Sequence, residues 1–258
     1  MEISFYKYQG TGNDFVIIDN RHLRFPKTDT NLVAQLCNRK FGIGADGLLL
    51  LENHDAVDFT MVYYNADGNL SSMCGNGGRC IMHFAKHLGI ISETARFEAV
   101  DGMHEASITS DGVSLKMNDV SEVKKEANYC FLDTGSPHHV AMVKDLSNYD
   151  VFSEGRKIRE GVYGSEGANV NFVEAKDANT FAVRTYERGV EDETLSCGTG
   201  VTAVAIAMFE MGETSEKKVQ LHTPGGVLSV SFNKIENGYQ NIFLEGPAVQ
   251  VYKGNWSC

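Results

Sequence analysis

The sequence predicts an α+β protein built from two similar halves, on three observations. Cys74-Gly75-Asn76-Gly77 and Cys197-Gly198-Thr199-Gly200 are the same Cys-Gly-x-Gly turn, and each runs at once into an apolar segment, residues 81–88 and 201–209. An offset of 123 residues, 197 minus 74, also brings Gly12 onto Gly135 and Gly44-Ala45-Asp46 onto Gly167-Ala168-Asn169 without a gap. Around both helical segments the chain reads as short strands separated by Gly, Asp and Asn turns. The offset is close to half of the 258 residues, so duplication is the economical reading, with one thiol per copy at a helix start.

The elements follow in order. Residues 4–8 and 15–19 read as strands around the turn Gly10-Thr11-Gly12-Asn13-Asp14. Asp29-Thr30 caps a helix whose Leu32, Val33, Leu36 and Cys37 fall at helical spacing, and one offset later residues 153–162 are its counterpart. Strands are expected at 48–51 and 59–64, the second closing on the hairpin signal Asn65-Ala66-Asp67-Gly68. The Cys74 helix should end near Gly89. Strands at 95–100, 105–109 and 113–117 follow, and a polar stretch, 118–128, closes the half. The second half repeats the order: a strand at 129–133, the turn Gly135-Ser136-Pro137-His138, and strands at 139–143, 169–175 and 181–187. The Cys197 helix then runs to Gly212, and strands at 219–222, 227–232 and 239–245 close the half. Residues 249–252 are expected to return to the first half. The division is placed at residues 1–118, joined by 247–258, and 119–246, with a cleft between them.

Composition narrows the classes of function. A chain of this size buries about 70–75% of its surface and needs no staples. Hydrophobic content of 42% and charged content of 22% are those of an ordinary globular protein. The net charge of −11, with no Lys/Arg cluster, argues against nucleic acid as a partner. The N-terminus lacks the pattern of a signal peptide, and residues 201–209 are too short to span a bilayer, so no membrane role and a cytoplasmic location are expected. Cys37, Cys74, Cys80, Cys130, Cys197 and Cys258 then read as reduced thiols. None forms a Cys-x-x-Cys pair, so a zinc site is not supported.

Two glycine-rich segments are traps. Gly42-Ile43-Gly44-Ala45-Asp46-Gly47 matches a dinucleotide fingerprint in letters, but it follows a helix and opens a strand, the reverse of what that motif requires. Gly75-Asn76-Gly77-Gly78-Arg79 lacks the Gly-Lys-Ser/Thr ending of a P-loop.

Two cysteines from symmetric halves suit inversion at a carbon bearing a weakly acidic hydrogen. One thiolate takes the proton from one face while the other thiol delivers a proton to the opposite face. A helix N-terminus favours an ionised cysteine, and its backbone N–H groups can hold a carboxylate and stabilise a carbanion beside it. A lone cysteine is more often a small buried apolar residue, but the polar neighbours Asn76, Thr199, Glu187 and Arg188 do not fit that reading. Asn13, Asn65 and Asn169 sit at strand–turn junctions, where Asx turns would explain them or their amides can bind a carboxylate and an ammonium. Glu187-Arg188 can pair with both groups of one zwitterion, or form an exposed ion pair. His138 can orient or deprotonate a thiol.

The motifs Gly12-Asn13-Asp14-Phe15, Asn65-Ala66-Asp67-Gly68, Cys74-Gly75-Asn76-Gly77-x-Arg79, Pro137-His138, Asn169 with Phe172, Tyr186-Glu187-Arg188-Gly189, Glu193-Thr194 and Cys197-Gly198-Thr199-Gly200 together resemble the diaminopimelate epimerase family over essentially the whole chain. The resemblance implies two pseudo-symmetric α+β domains, each a mostly antiparallel sheet or barrel wrapped around a central helix. It implies an isomerase that interconverts LL- and meso-diaminopimelate, in lysine and peptidoglycan precursor synthesis, with neither pyridoxal phosphate nor metal. By the same resemblance Cys74 and Cys197 are the acid/base pair, supported by His138 and Glu187. Asn13, Asn65, Asn169, Glu187 and Arg188 bind the ligand, Gly75, Asn76, Gly198 and Thr199 meet its carboxylate through backbone groups, and a homodimer is implied. Ser136 and Gly47 depart from the family pattern at places expected to touch the distal end of the ligand. A proline or hydroxyproline racemase on the same fold is the nearest alternative; a non-catalytic binding relative or a Cys74/Cys197 redox pair are the others.

Overall fold

Strands alternate with turns along most of the chain, and among the described residues four α-helices interrupt them. The computed structural model describes residues 2–71 and 73–257, so Cys258, the sixth cysteine of the sequence, lies outside the described residues. The chain forms two units, Met1–Leu115 with Gly246–Cys258, and Lys116–Glu245. The first junction falls a few residues before the expected 118/119.

In the first unit, β1 (Glu2–Gly10) and β2 (Asn13–Asp19) form an antiparallel pair around Thr11-Gly12, with Gly12 in the left-handed region at φ 87°. Helix α1 (Thr30–Cys37) starts where Asp29 Oδ1 accepts from the Leu32 backbone N–H at 3.0 Å. β3 (Gly47–Glu52) lies parallel to β2, and β4 (Phe59–Asn65) returns antiparallel to β3. Helix α2 (Gly75–His87) follows, then β5 (Thr94–Ala99), parallel to β4, and the antiparallel β6 (Gly102–Thr109) and β7 (Gly112–Lys116).

The second unit repeats this plan. β8 (Val123–Lys125) pairs with β9 (Tyr129–Asp133), and β9 with β10 (Pro137–Met142). A turn of 3-10 helix and α3 (Val151–Gly161) lead to β11 (Asn169–Asp177), parallel to β10, and β12 (Thr180–Glu187), antiparallel to β11. The short β13 (Asp192–Thr194) pairs with β12 and precedes α4 (Gly198–Met211), which stops at Gly212, φ 83°. β14 (Lys218–Thr223), parallel to β12, and the antiparallel β15 (Gly226–Ile235) and β16 (Gly238–Gly246) complete it. Last, β17 (Val249–Ser257) pairs antiparallel with β1 in the first unit.

Each sheet wraps a helix. Helix α2 packs on β1, β2, β3, β4, β6 and β17, and α4 packs on β8 to β12, β14 and β15. From Val201 to Met208 every residue of α4 is buried, the mark of a helix apolar all round, and each such Val, Ile or Met contributes about 1.5–3 kcal/mol of burial. Helices α1 and α3 cover the opposite sheet faces: α1 sets Leu32, Val33 and Leu36 on Val16, Ile18, Leu48 and Leu50, and α3 sets Val151 and Ile158 on Val170, Phe172 and Tyr186.

Two details differ from the sequence reading. The polar stretch 118–128 contains a strand, β8, because the strand's backbone completes the ladder of β9 although Val123 is its one apolar residue. Pro137 and His138 belong to strand β10 and not to a turn: as the first residue of the strand, Pro137 costs the ladder little, and His138 is in register with Leu132 and Asn169. No helix is long and apolar enough to cross a membrane among the described residues.

Candidate active site

Both cysteines are the residues before the first turn of a central helix. Cys74 precedes α2 with φ −114° and ψ 121°, Cys197 precedes α4 with φ −119° and ψ 114°, and neither caps its helix with its side chain. An extended residue at the helix start lets the sulfur leave the helix axis while the first-turn N–H groups stay directed outward. Cys74 is half-buried and Cys197 is 8% exposed.

In the first unit, the Cys74 thiol donates to Asn13 Oδ1 at 3.5 Å, and Asn76 Nδ2 donates to the same oxygen at 3.2 Å. Asn13 Nδ2 donates in turn to Asp46 Oδ2 at 2.8 Å. Asp46 and Asp14 share Arg39, and Lys7 pairs with Asp14 at 2.6 Å. Burial raises the Asp14 pKa, but hydrogen bonds from Arg39 and Lys7 outweigh it and hold that carboxyl at about 2. Beneath Asn76, the wholly buried Arg79 donates to Asn76 Oδ1 at 3.0 Å and to Gly75 O at 3.3 Å. The structure thus brings Cys74, Asn13, Gly75 and Asn76 together. Asn65 stands exposed at the end of β4, opposite Gly47. A Cβ on Gly47 would lie 2.5 Å from Tyr63 Cε2 and 2.6 Å from Tyr64 O, which accounts for glycine there.

In the second unit, Cys197 Sγ lies 3.4 Å from Thr199 Oγ1, which is 2.9 Å from Nε2 of His138. His138 is 0% exposed, and burial, helped by the Arg188 charge, pushes its pKa down to about 3, so the ring is neutral at ordinary pH. Its Nδ1 faces Asn171 Nδ2 at 3.1 Å. Asn169 Oδ1 accepts from the Arg188 backbone N–H at 2.9 Å, and the Arg188 guanidinium donates to Glu166 O. Glu187 ends β12, half-buried. The second unit therefore gathers Cys197, Gly198, Thr199, His138, Asn169 and the backbone of Arg188.

Sequence reading missed Asn171. It lies on the same sheet face as His138 and Asn169 because β10 and β11 are in register and alternate residues share a face. Thr185, its partner on β12, donates to Asn171 Oδ1 at 2.9 Å. The available signal was Asn169 and Asn171 at a spacing of two among the apolar Val170, Phe172 and Val173.

Cys37 and Cys80 are buried, and burial pushes both thiols up to about 12, which leaves them inert beside the two helix-start thiols. None of the five described cysteines is in a disulfide. Among the described residues no three His, Cys, Asp or Glu side chains gather in a way that could hold a metal ion.

The architecture is shared with solved structures of low sequence identity. A phenazine biosynthesis protein from Bacillus anthracis superposes with a TM-score of 0.81 over 100% of both chains at 14% identity. A probable proline racemase from Agrobacterium radiobacter gives 0.70 at 12% identity, over 99% of this chain and 92% of that one. These define the fold, a two-domain, sheet-rich α+β architecture. The diaminopimelate epimerase family model matches residues 5–123 and 130–251. Diaminopimelate epimerases of Flavobacterium psychrophilum and Chlorobaculum tepidum are 57% and 44% identical, over 96% and 95% of this chain and 98% of each relative. The chain belongs to the diaminopimelate epimerase family, and it is an isomerase.

Proposed function

We propose that this isomerase interconverts LL- and meso-2,6-diaminopimelate by a two-base mechanism in which Cys74 and Cys197 act on opposite faces of one α-carbon. The thiolate of one cysteine takes the α-proton and becomes a thiol. The electron pair left on carbon is delocalised into the α-carboxylate, held by the first-turn N–H groups of the central helices through Gly75, Asn76, Gly198 and Thr199. The second thiol gives its proton to the other face and becomes the thiolate, so atoms and charge balance and the next turnover starts from the reverse ionisation. Asn13, Asn65, Asn169, Glu187 and Arg188 hold the ammonium and carboxylate groups, and His138 and Glu187 support the thiols. The same reading carries a place in lysine and peptidoglycan precursor synthesis, a cytoplasmic location and a homodimer.

The observation that carries it is the equivalence of the two sulfurs. Each unit places one cysteine immediately before its central helix, in the same extended conformation, 123 residues apart (197 minus 74). The test is turnover by single variants. Cys74→Ala and Cys197→Ala should each lose epimerisation by at least about 10²-fold, the usual worth of one general acid or base, with the fold retained by circular dichroism. Normal turnover by either variant contradicts the mechanism, and racemisation of hydroxyproline with none of diaminopimelate contradicts the substrate.

A further inference from the structure

We propose that Asn171 is a positioning residue that holds His138 as the Nε2–H tautomer, so that Thr199 accepts from the ring and presents its hydroxyl hydrogen to the Cys197 thiolate. The inference rests on the reading of Cys197 as an acid/base thiol, and it follows from counting donors. Asn171 Nδ2 donates to the backbone carbonyl of His139 at 3.0 Å, and Asn171 Oδ1 accepts from the Thr185 hydroxyl at 2.9 Å. Those two partners fix which end of the amide is which, because reversing it would set Oδ1 against the His139 carbonyl. The NH2 end therefore faces His138 Nδ1 at 3.1 Å, and Nδ1 must accept.

A neutral imidazole has one N–H, so it sits on Nε2. Nε2–H donates to Thr199 Oγ1 at 2.9 Å, which fills one lone pair of that oxygen and leaves its hydroxyl hydrogen available to Cys197 Sγ, 3.4 Å away and favoured when the sulfur is a thiolate. Asn169 Nδ2 also stands 3.5 Å from Nε2, but it has Pro137 O as an acceptor at 3.4 Å, and the much shorter Thr199 contact decides the role of Nε2. All members but Thr199 are buried, Asn171 and His138 completely, so water does not compete along most of the relay.

The consequence is directional. The relay offers the sulfur a donor, which stabilises the thiolate, and its imidazole, already protonated on the nitrogen facing Thr199, cannot collect the thiol proton. His138 then orients and does not deprotonate, deciding between the two roles its position allowed. The charge that acts on it is Arg188, just past the end of β12, while His139 turns to the other sheet face and meets Tyr163 OH at 2.9 Å. The first half carries Phe15, Leu48 and Val62 where the offset of 123 places His138, Asn171 and Thr185, and Asn76 where it places Thr199, so the His–Asn pair belongs to the Cys197 half alone. Gly200 completes it: a Cβ there would stand 2.6 Å from Asn171 Oδ1.

Two readouts independent of turnover test it. Nitrogen NMR of the His138 ring in the unmodified enzyme should show Nδ1 unprotonated and Nε2 protonated from pH 6 to 8; the opposite tautomer, or an even mixture, overturns the proposal. The rate of iodoacetamide alkylation at Cys197, resolved from Cys74 by peptide mass spectrometry, is then followed against pH. In Asn171→Leu and Thr199→Val its midpoint should rise by about one unit, the worth of one hydrogen bond to a charged group, with kcat falling more than KM rises. Thr199→Ser should restore the midpoint, and an unchanged midpoint in Thr199→Val overturns the proposal. Should Asn171→Leu fail to fold, the NMR experiment and the Thr199 pair decide alone. If Cys197→Ala kept epimerase activity, the reading beneath would fail, an outcome these two measurements do not share.

Discussion

Arg79 Nη2 donates to Asn76 Oδ1 at 3.0 Å, with the guanidinium wholly buried and all its hydrogen-bond acceptors neutral among the described residues. The others are Thr11 Oγ1, Gly75 O and Pro247 O, at 3.3 to 3.5 Å. Burial lowers the Arg79 pKa, opposed by the neighbouring thiols Cys80 and Cys74. One cation thus ties the first turn of α2 to the β1–β2 loop and to the chain before β17.

Arg79→Met should destabilise the protein by about 2–4 kcal/mol, because several acceptors lose their donor while only one desolvation cost is recovered. Arg79→Lys should fall between, keeping the charge and losing the planar fork. Urea denaturation checks both, and an unchanged Met variant would show that the guanidinium is not structural.

Gly200→Ala and Gly77→Ala form a matched pair, 123 residues apart (200 minus 77). At Gly200 a Cβ meets Asn171 Oδ1 at 2.6 Å and Cys197 Cβ at 3.2 Å, whereas at Gly77 the nearest atom is the flexible Met61 Cε at 3.3 Å. Gly200→Ala should cost about 1–3 kcal/mol and most of the activity; Gly77→Ala should cost less than about 1 kcal/mol. Equal losses would contradict this difference between the halves.

The two buried histidines set an acid limit. Burial lowers His138 to about 3 and His139 to about 4, from 6.5 unfolded. Between those values the unfolded chain binds protons that the native chain does not, so stability rises with pH. It is fully present above about 6.5 and is lost as pH falls, by up to about 1.4 kcal/mol per unit per histidine. Urea midpoints from pH 7 to 5 should show this slope, and His139→Phe should reduce it by about half. A flat profile would contradict it.

Much of this was legible in the sequence because duplication marks the same places twice. Gly12 and Gly135, and likewise Gly44 and Gly167, all adopt positive φ at the shared offset, and α2 and α4 begin at the two cysteines. Helix α1 was legible through Asp29, whose cap is local chemistry. What stayed hidden depends on pairing. The strand β8, Val123-Lys124-Lys125, exists because β9 needs a neighbour, and the entry of His138 into β10 depends on register with β11. Asn171 was invisible for the same reason: its partners His138 and Thr185 lie on two other strands. The Asn13–Asp46 contact also spans two strands and a loop.

The claim that one sulfur removes the proton and another returns a different one is tested most directly by initial-rate turnover of LL-diaminopimelate in deuterium oxide. The account predicts deuterium at the inverted α-carbon of the product and protium still in the recovered substrate. Product that keeps the original protium would mean one base carrying one proton between the two faces, and would contradict the account.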